Sequence, residues 1–140
     1  MKEEFDKENI FGKGNLNEAY AKYFIGNSYL NPLENSNYLH MCNVTFEPNC
    51  RNNWHIHNSK YPVGQVLICT AGKGVYEEWG KEPIIMTPGT VVEVPSGVKH
   101  FHGSYPGCWF SHIAFSIPGD DAKTEWLEEV NDEEYYKIKK

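Results

Sequence analysis

Several features are scarce in this 140-residue chain. No apolar run approaches the roughly 20 residues a helix needs to cross a bilayer, so no membrane-spanning helix is expected. There are four cysteines, Cys42, Cys50, Cys69 and Cys108, and no two stand as Cys-x-x-Cys. That spacing argues against a structural zinc knot and against a dithiol redox motif. Cys42 and Cys69 fall in apolar strand patterns, where a free thiol behaves as a small hydrophobe, and all four read as reduced. Positive charge is also short. Thirteen Lys and Arg stand against nineteen Asp and Glu, a net charge of -6, with no basic cluster. This balance argues against a nucleic-acid backbone or an anionic membrane as the main partner. The opening Met1-Lys2-Glu3-Glu4-Phe5-Asp6 is charged with no apolar segment behind it. No signal peptide is expected, and the cytoplasm is the expected location. Neither an internal repeat, a low-complexity segment nor a second domain is visible.

What is present is enough for one core. Hydrophobic residues make up 40% of the chain and aromatics 14%, which suits a single globular domain without disulfide staples. Short apolar runs recur between Gly- and Pro-containing turns: Tyr38 to Phe46, Gln65 to Thr70, Val75 to Trp79, Ile84 to Met86, Val91 to Val94, His100 to His102 and Trp109 to Ile117. Such spacing predicts an all-β sandwich or barrel. Residues 1–15 are polar and Gly-interrupted and are expected to lie across the surface. Asn17 to Phe24 reads as a short helix capped by Asn15 or Asn17. Tyr29-Leu30 before Pro32 reads as an edge strand, because proline donates nothing to a ladder. Asp132 to Ile138 reads as a C-terminal helix, with acids early and lysines late as the macrodipole favours.

Histidine carries the strongest chemical signal. Five of the six histidines, His55, His57, His100, His102 and His112, fall in two short stretches and the next strand. On a strand, residues two apart point to one face, so His55 projects with His57 and His100 with His102. The two pairs, brought opposite each other inside a barrel, would cluster imidazoles around one metal ion. The bland alternative is exposed strand histidines with no metal.

The pattern around these pairs resembles the cupin superfamily. Its second motif, Gly-x5-Pro-x-Gly-x2-His, is matched by Gly89, Pro95, Gly97 and His100, with Ser104 where an Asn usually closes it. Its first motif is matched by His55, His57 and Gly72, with Gln65 in the usual Glu position and a longer gap after His57. From about Ile10 to Tyr135 the chain also resembles small single-domain cupins associated with carboxymuconolactone decarboxylases and cupin-type hydroxynitrile lyases. Asn43 to Pro48, Glu125-Trp126-Leu127 and Asp132 to Tyr135 belong to that likeness.

The resemblance implies an all-β, jelly-roll-like double-stranded β-helix with short N-terminal and C-terminal helices. It divides the domain into an arm (1–36) with a short helix and an edge strand, a cupin barrel (37–119), and an acidic segment with a helix (120–140). It implies a divalent transition metal inside the barrel, manganese first, with iron, zinc, nickel or cobalt as alternatives. His55, His57 and His100 would supply nitrogen ligands and Gln65 its amide oxygen, unless Gln65 is a hydrogen-bonding core amide. A neutral amide leaves the ion a stronger Lewis acid than a carboxylate would, which favours polarising an oxygen over redox cycling. His102 and His112 fit a general base beside the metal, or equally a packing role. Cys42, Val44 and Ser116 would line the substrate pocket. Arg51 reads either as a surface residue or as a clamp for a substrate carboxylate. The four tryptophans read as packing residues.

The expected function is a metal-dependent lyase-type enzyme, hydroxynitrile-lyase-like or decarboxylase-related, on a small oxygenated substrate. A metal-dependent dioxygenase is one alternative. A non-catalytic small-molecule-binding or partner module of a decarboxylase is another. A homodimer is expected, with a functional link to a carboxymuconolactone decarboxylase-like protein.

Overall fold

The computed structural model describes residues 2–119 and 122–139. In chain order the elements are α1 (Lys2–Glu8), β1 (Asn15–Leu16), a 3-10 turn (Ala21–Tyr23), β2 (Phe24–Ile25), β3 (Ser28–Asn35) and β4 (His40–Phe46). Then come β5 (Arg51–Asn52), β6 (His55–Asn58), β7 (Val63–Gly72), β8 (Gly74–Glu78), β9 (Ile84–Met86) and β10 (Val91–Pro95). The chain ends with β11 (His100–Ser104), β12 (Phe110–Ser116), β13 (Lys123–Trp126), α2 (Asp132–Tyr136) and a second 3-10 turn (Lys137–Lys139). No helix among the described residues is long and apolar enough to cross a membrane.

All the pairings are antiparallel and form two sheets. One runs β1-β3-β4-β12-β7-β10. The other runs β13-β6-β11-β5-β2, with β8 on β11 and β9 on β8. Strands from both ends of the chain, β1 to β3 and β13, are thus integral to the sheets. β12 lies between β4 and β7 and pairs with both over nearly its whole length. β11 takes β8 along one edge, and β6 and β5 in succession along the other. That last arrangement needs a glycine, since a Cβ on Gly103 would stand 2.6 Å from the Arg51 Cα.

Between the sheets, Phe46, Leu67, Cys69, Tyr76, Met86 and Phe110 form the inner core. Each such burial removes about 1.5–3 kcal/mol worth of apolar surface from water. A second cluster, Trp54, Val75, Phe101, Val130 and Tyr135, lies where the C-terminal segment covers the other sheet. Arg51 anchors that cover. Its guanidinium is 1% exposed and donates to the Val130 carbonyl (3.1 and 2.7 Å), to the Asn49 carbonyl (3.2 Å) and to Asp132 (2.7 Å). It also lies 4.2 Å from the Tyr135 ring centroid. Arg51 is therefore neither a surface residue nor a carboxylate clamp in the pocket, because it is buried outside the cavity wall and four of its five N–H groups donate to the chain itself.

Three further expectations change. Asn17 to Phe24 does not form the expected helix. The Asn17 side chain accepts from the Tyr20 amide (3.1 Å) and closes a single turn, while Phe24 and Ile25 pair with Asn52 and Arg51. Tertiary pairing outweighs local helix preference there. Residues 2–8, read only as part of a polar stretch lying across the surface, form a helix not expected there, α1, which buries Phe5 against Trp109 at a ring distance of 5.5 Å. Finally, β3 is longer than the two residues read from the sequence. Pro32 sits opposite Cys42 beside a bulge that absorbs its missing donor.

Candidate functional site

Strands of both sheets line a cavity of about 590 Å³, with His55, His57, His102 and His112 in its wall. Two strand pairings deliver the metal-type cluster. His100 sits directly opposite His55 across β11 and β6, and His57 follows two residues on, on the same face. The turn before β11 is tied to the same place. Gly97 adopts a φ of 81° that favours glycine, and its amide donates to the His57 carbonyl (2.9 Å). One imidazole nitrogen from each of His55, His57 and His100 lies within 4.8 Å of the others.

Tautomers prepare this cluster. His55 Nδ1–H donates to the Asn53 carbonyl (2.8 Å) and His100 Nδ1–H to the Val98 carbonyl (2.9 Å). Carbonyls only accept, so both Nε2 atoms are left as bare lone pairs. The His100 Nε2 is buried with no hydrogen-bond partner among the described residues. A buried orphan of this kind beside two further imidazoles fits a divalent cation of the kind that imidazole suits. Burial holds the His100 imidazolium down to about 4 and pushes His57 down as well. His55 is pushed well below the usual 6.5 by burial and then by its two imidazole neighbours. All three rings are thus neutral at neutral pH, the form that ligates metal. Gln65 Oε1 lies 3.0 Å from His57 Nε2, at the edge of the cluster.

His100 and His102 project to one face as their spacing predicts, with ring centroids 6.0 Å apart and planes 14° from parallel, yet they take different partners. His100 joins the cluster, while His102 turns to β12, where its Nδ1 meets His112 Nε2 at 3.0 Å. Phe46 stands against both rings, with centroids 6.1 Å from His102 and 5.3 Å from His112. Burial pushes His112 down to about 3, and drives His102 well below its usual value, helped by His112 and the cluster imidazoles. The pair is thus neutral at neutral pH and buried from water. Asn52 frames it, with Oδ1 accepting from the His102 backbone amide (2.9 Å) and its amide nitrogen 3.3 and 3.4 Å from the ring nitrogens.

Cys42, Val44 and Ser116 all line the cavity, and so does His40 on the same strand as Cys42 and Val44. Burial raises the Cys42 thiol, so it stays protonated. Reasoning from the sequence missed Asn52, Thr124 and Trp126. Trp126 was read as packing only, yet its ring stacks on His55 (4.7 Å, 29°) and on Tyr23 (4.5 Å, 3°). Thr124 Oγ1 sits 3.1 Å from His57 Nδ1. Both lie on β13, whose register sets Thr124 opposite His57 and Trp126 opposite His55.

The chain is similar to known proteins at two levels. It is 41% identical over 92 residues to an (R)-mandelonitrile lyase of Granulicella tundricola, covering 66% of this chain and 67% of that one. It is 37% identical to a cupin-like protein of Thermotoga maritima, covering 92% of this chain and 96% of that structure with a TM-score of 0.81. The dimethylsulfoniopropionate (DMSP) lyase DddQ of Ruegeria pomeroyi, 18% identical over 85% of this chain and 59% of that one with a TM-score of 0.58, shares the fold alone. No family model matches the sequence. With the two-sheet barrel, both histidine motifs and a full-length structural relative in agreement, the chain belongs to the cupin superfamily.

Proposed function

We propose that this protein is a metal-dependent lyase-type enzyme that breaks or makes a C–C bond beside a hydroxyl or carbonyl group of a small substrate. The observation that carries this reading is the adjacency of two imidazole sets, three rings with a nitrogen each within 4.8 Å and a pair in contact at 3.0 Å, with His55, His57, His102 and His112 in one cavity wall. His55, His57 and His100 are poised to hold a cation, and the His102–His112 pair is poised to hold a proton. The mandelonitrile lyase relative supports the α-hydroxynitrile class as the first substrates to test.

His55, His57 and His100 would hold the ion, with Gln65 supplying an amide oxygen. Manganese is our first choice, following the likeness to cupin-type lyases. A bound divalent ion supplies Lewis-acid polarisation of a substrate oxygen. The chain's own part is proton transfer. In the tautomer where His102 Nδ1–H donates to His112 Nε2, the His102 Nε2 lone pair, 3.3 Å from the Asn52 amide nitrogen, would take the hydroxyl proton of the substrate. His112 then shares the resulting charge through the 3.0 Å contact. Phe24, Leu30, Val44 and Ala114 form apolar cavity wall that keeps water from competing for that proton. Among the described residues no carboxylate joins the histidine cluster. That favours polarisation over the redox cycling of a dioxygenase.

The test pairs metal content with turnover. The protein, reconstituted with Mn²⁺, is expected to bind near-stoichiometric metal and to cleave an aromatic cyanohydrin. His100→Ala should lose most of the metal. His102→Ala should keep the metal and lose about 10²–10⁴-fold in rate. Full activity in the His102 variant would remove that residue from the mechanism, and no metal uptake by the wild type would remove the proposal.

A further inference from the structure

We propose that Thr124 is the positioning residue that lets His57 exchange tautomers and so become a metal ligand, an inference that rests on the site reading above. The three cluster histidines are not prepared alike. His55 and His100 hand their Nδ1 protons to backbone carbonyls, which fixes their Nε2 lone pairs in advance. His57 has no such carbonyl. Its Nε2 meets Gln65 Oε1 at 3.0 Å, and an amide oxygen only accepts, so here Nε2 carries the proton. Its Nδ1 is then the bare nitrogen and faces Thr124 Oγ1 at 3.1 Å.

Ligation through Nε2 requires the opposite tautomer. A proton leaves Nε2 and one arrives on Nδ1, with no net gain or loss. Thr124 suits both states because a hydroxyl can donate to a bare nitrogen and, after rotating, accept from an N–H. A carbonyl there would oppose the metal-free state, and a methyl group would leave the loaded state without an acceptor. The strand that brings Thr124 here is held by backbone pairing with β6 and by the Trp126 stack on His55 and Tyr23. Changing the Thr124 side chain therefore leaves β13 in place.

Long-range ¹H–¹⁵N correlation spectra of the wild type should find the His57 proton on Nε2 without metal and on Nδ1 after Zn²⁺ is added. Zn²⁺ affinity, measured by competition with a fluorescent chelator, should fall about tenfold in Thr124→Val and stay within about twofold of wild type in Thr124→Ser. The lower end of the usual range applies because Thr124 is exposed and water competes for the same position. A His57 proton already on Nδ1 in the metal-free protein would overturn the proposal. So would a serine variant as weak as the valine one, which would assign the loss to packing. His57→Ala separates the two levels. If it binds Zn²⁺ as well as wild type, or if wild type binds none, the site reading fails and this inference with it. If His57→Ala loses binding while Thr124→Val keeps it, only the role of Thr124 fails.

Discussion

Mild acid should destabilise the metal-free protein through its buried histidines. His112 and His100 are fully buried, and burial holds them at about 3 and about 4. In the unfolded chain both return to about 6.5. At pH 5.5 the unfolded state therefore binds nearly one more proton per histidine than the folded state does. Stability falls wherever the unfolded state binds more protons as pH drops, so this contribution is complete above about pH 6.5 and is lost from there towards pH 3. Between pH 7.5 and 5.5 each of the two histidines costs about 1.4 kcal/mol, roughly 3 kcal/mol together. His55 and His102 are depressed in the same direction and add to the loss. Glu77, raised mainly by burial, works the other way. Against a total of about 5–15 kcal/mol, the loss is large. Urea unfolding in the presence of a chelator at pH 7.5, 6.5 and 5.5, followed by tryptophan fluorescence, measures it at constant m-value. His112→Gln should flatten the slope by about one proton. Equal stability at pH 7.5 and 5.5 in the wild type would refute the burial of neutral imidazoles.

Two further outcomes follow from the same structure. Zn²⁺ binding at pH 7.0 should release almost no protons, because His55, His57 and His100 are all lowered from the ordinary value, whereas three ordinary histidines would release between about half and one. Calorimetric heats that are equal in buffers of different ionisation enthalpy would support this, and buffer-dependent heats would contradict it. Arg51→Ala should cost about 3 kcal/mol, since it opens a cavity and strips the Val130 carbonyl of its donors. Asp132→Ala should cost no more than about 1 kcal/mol, because the carboxylate is 79% exposed. Chemical denaturation of the two variants distinguishes an anchor for the C-terminal cover from a surface ion pair.

Much of the barrel was legible because its strands alternate and its turns are marked by Gly and Pro. β8, β9 and β10 match the runs from Val75, Ile84 and Val91 to within a residue or two. The period of two also identified which histidines share a face. It could not say which of them meet. That depends on register between strands far apart in sequence, with His100 set against His55 by β6 and His102 drawn to His112 by β12. The helix expected at Asn17 to Phe24 failed for a related reason. Its capping signal was real, but the residues after it were claimed by pairing with β5.

The residues missed at the site share one property, which is that none is chemically conspicuous by itself. Lys123-Thr124-Glu125-Trp126 shows no apolar alternation, so nothing local marks it as a strand. It becomes one because β6 exposes an unpaired edge, and backbone groups at that edge must be satisfied. The strand that satisfies them brings a hydroxyl to one cluster histidine and an indole to another. Asn52 is similar, a residue of a two-residue strand whose amide frames His102 only because β5 and β11 run side by side. The histidines of this cavity are thus announced by their spacing. The groups that set their tautomers and orientation arrive by edge pairing, and it is there that substitutions should alter metal affinity without touching a ligand.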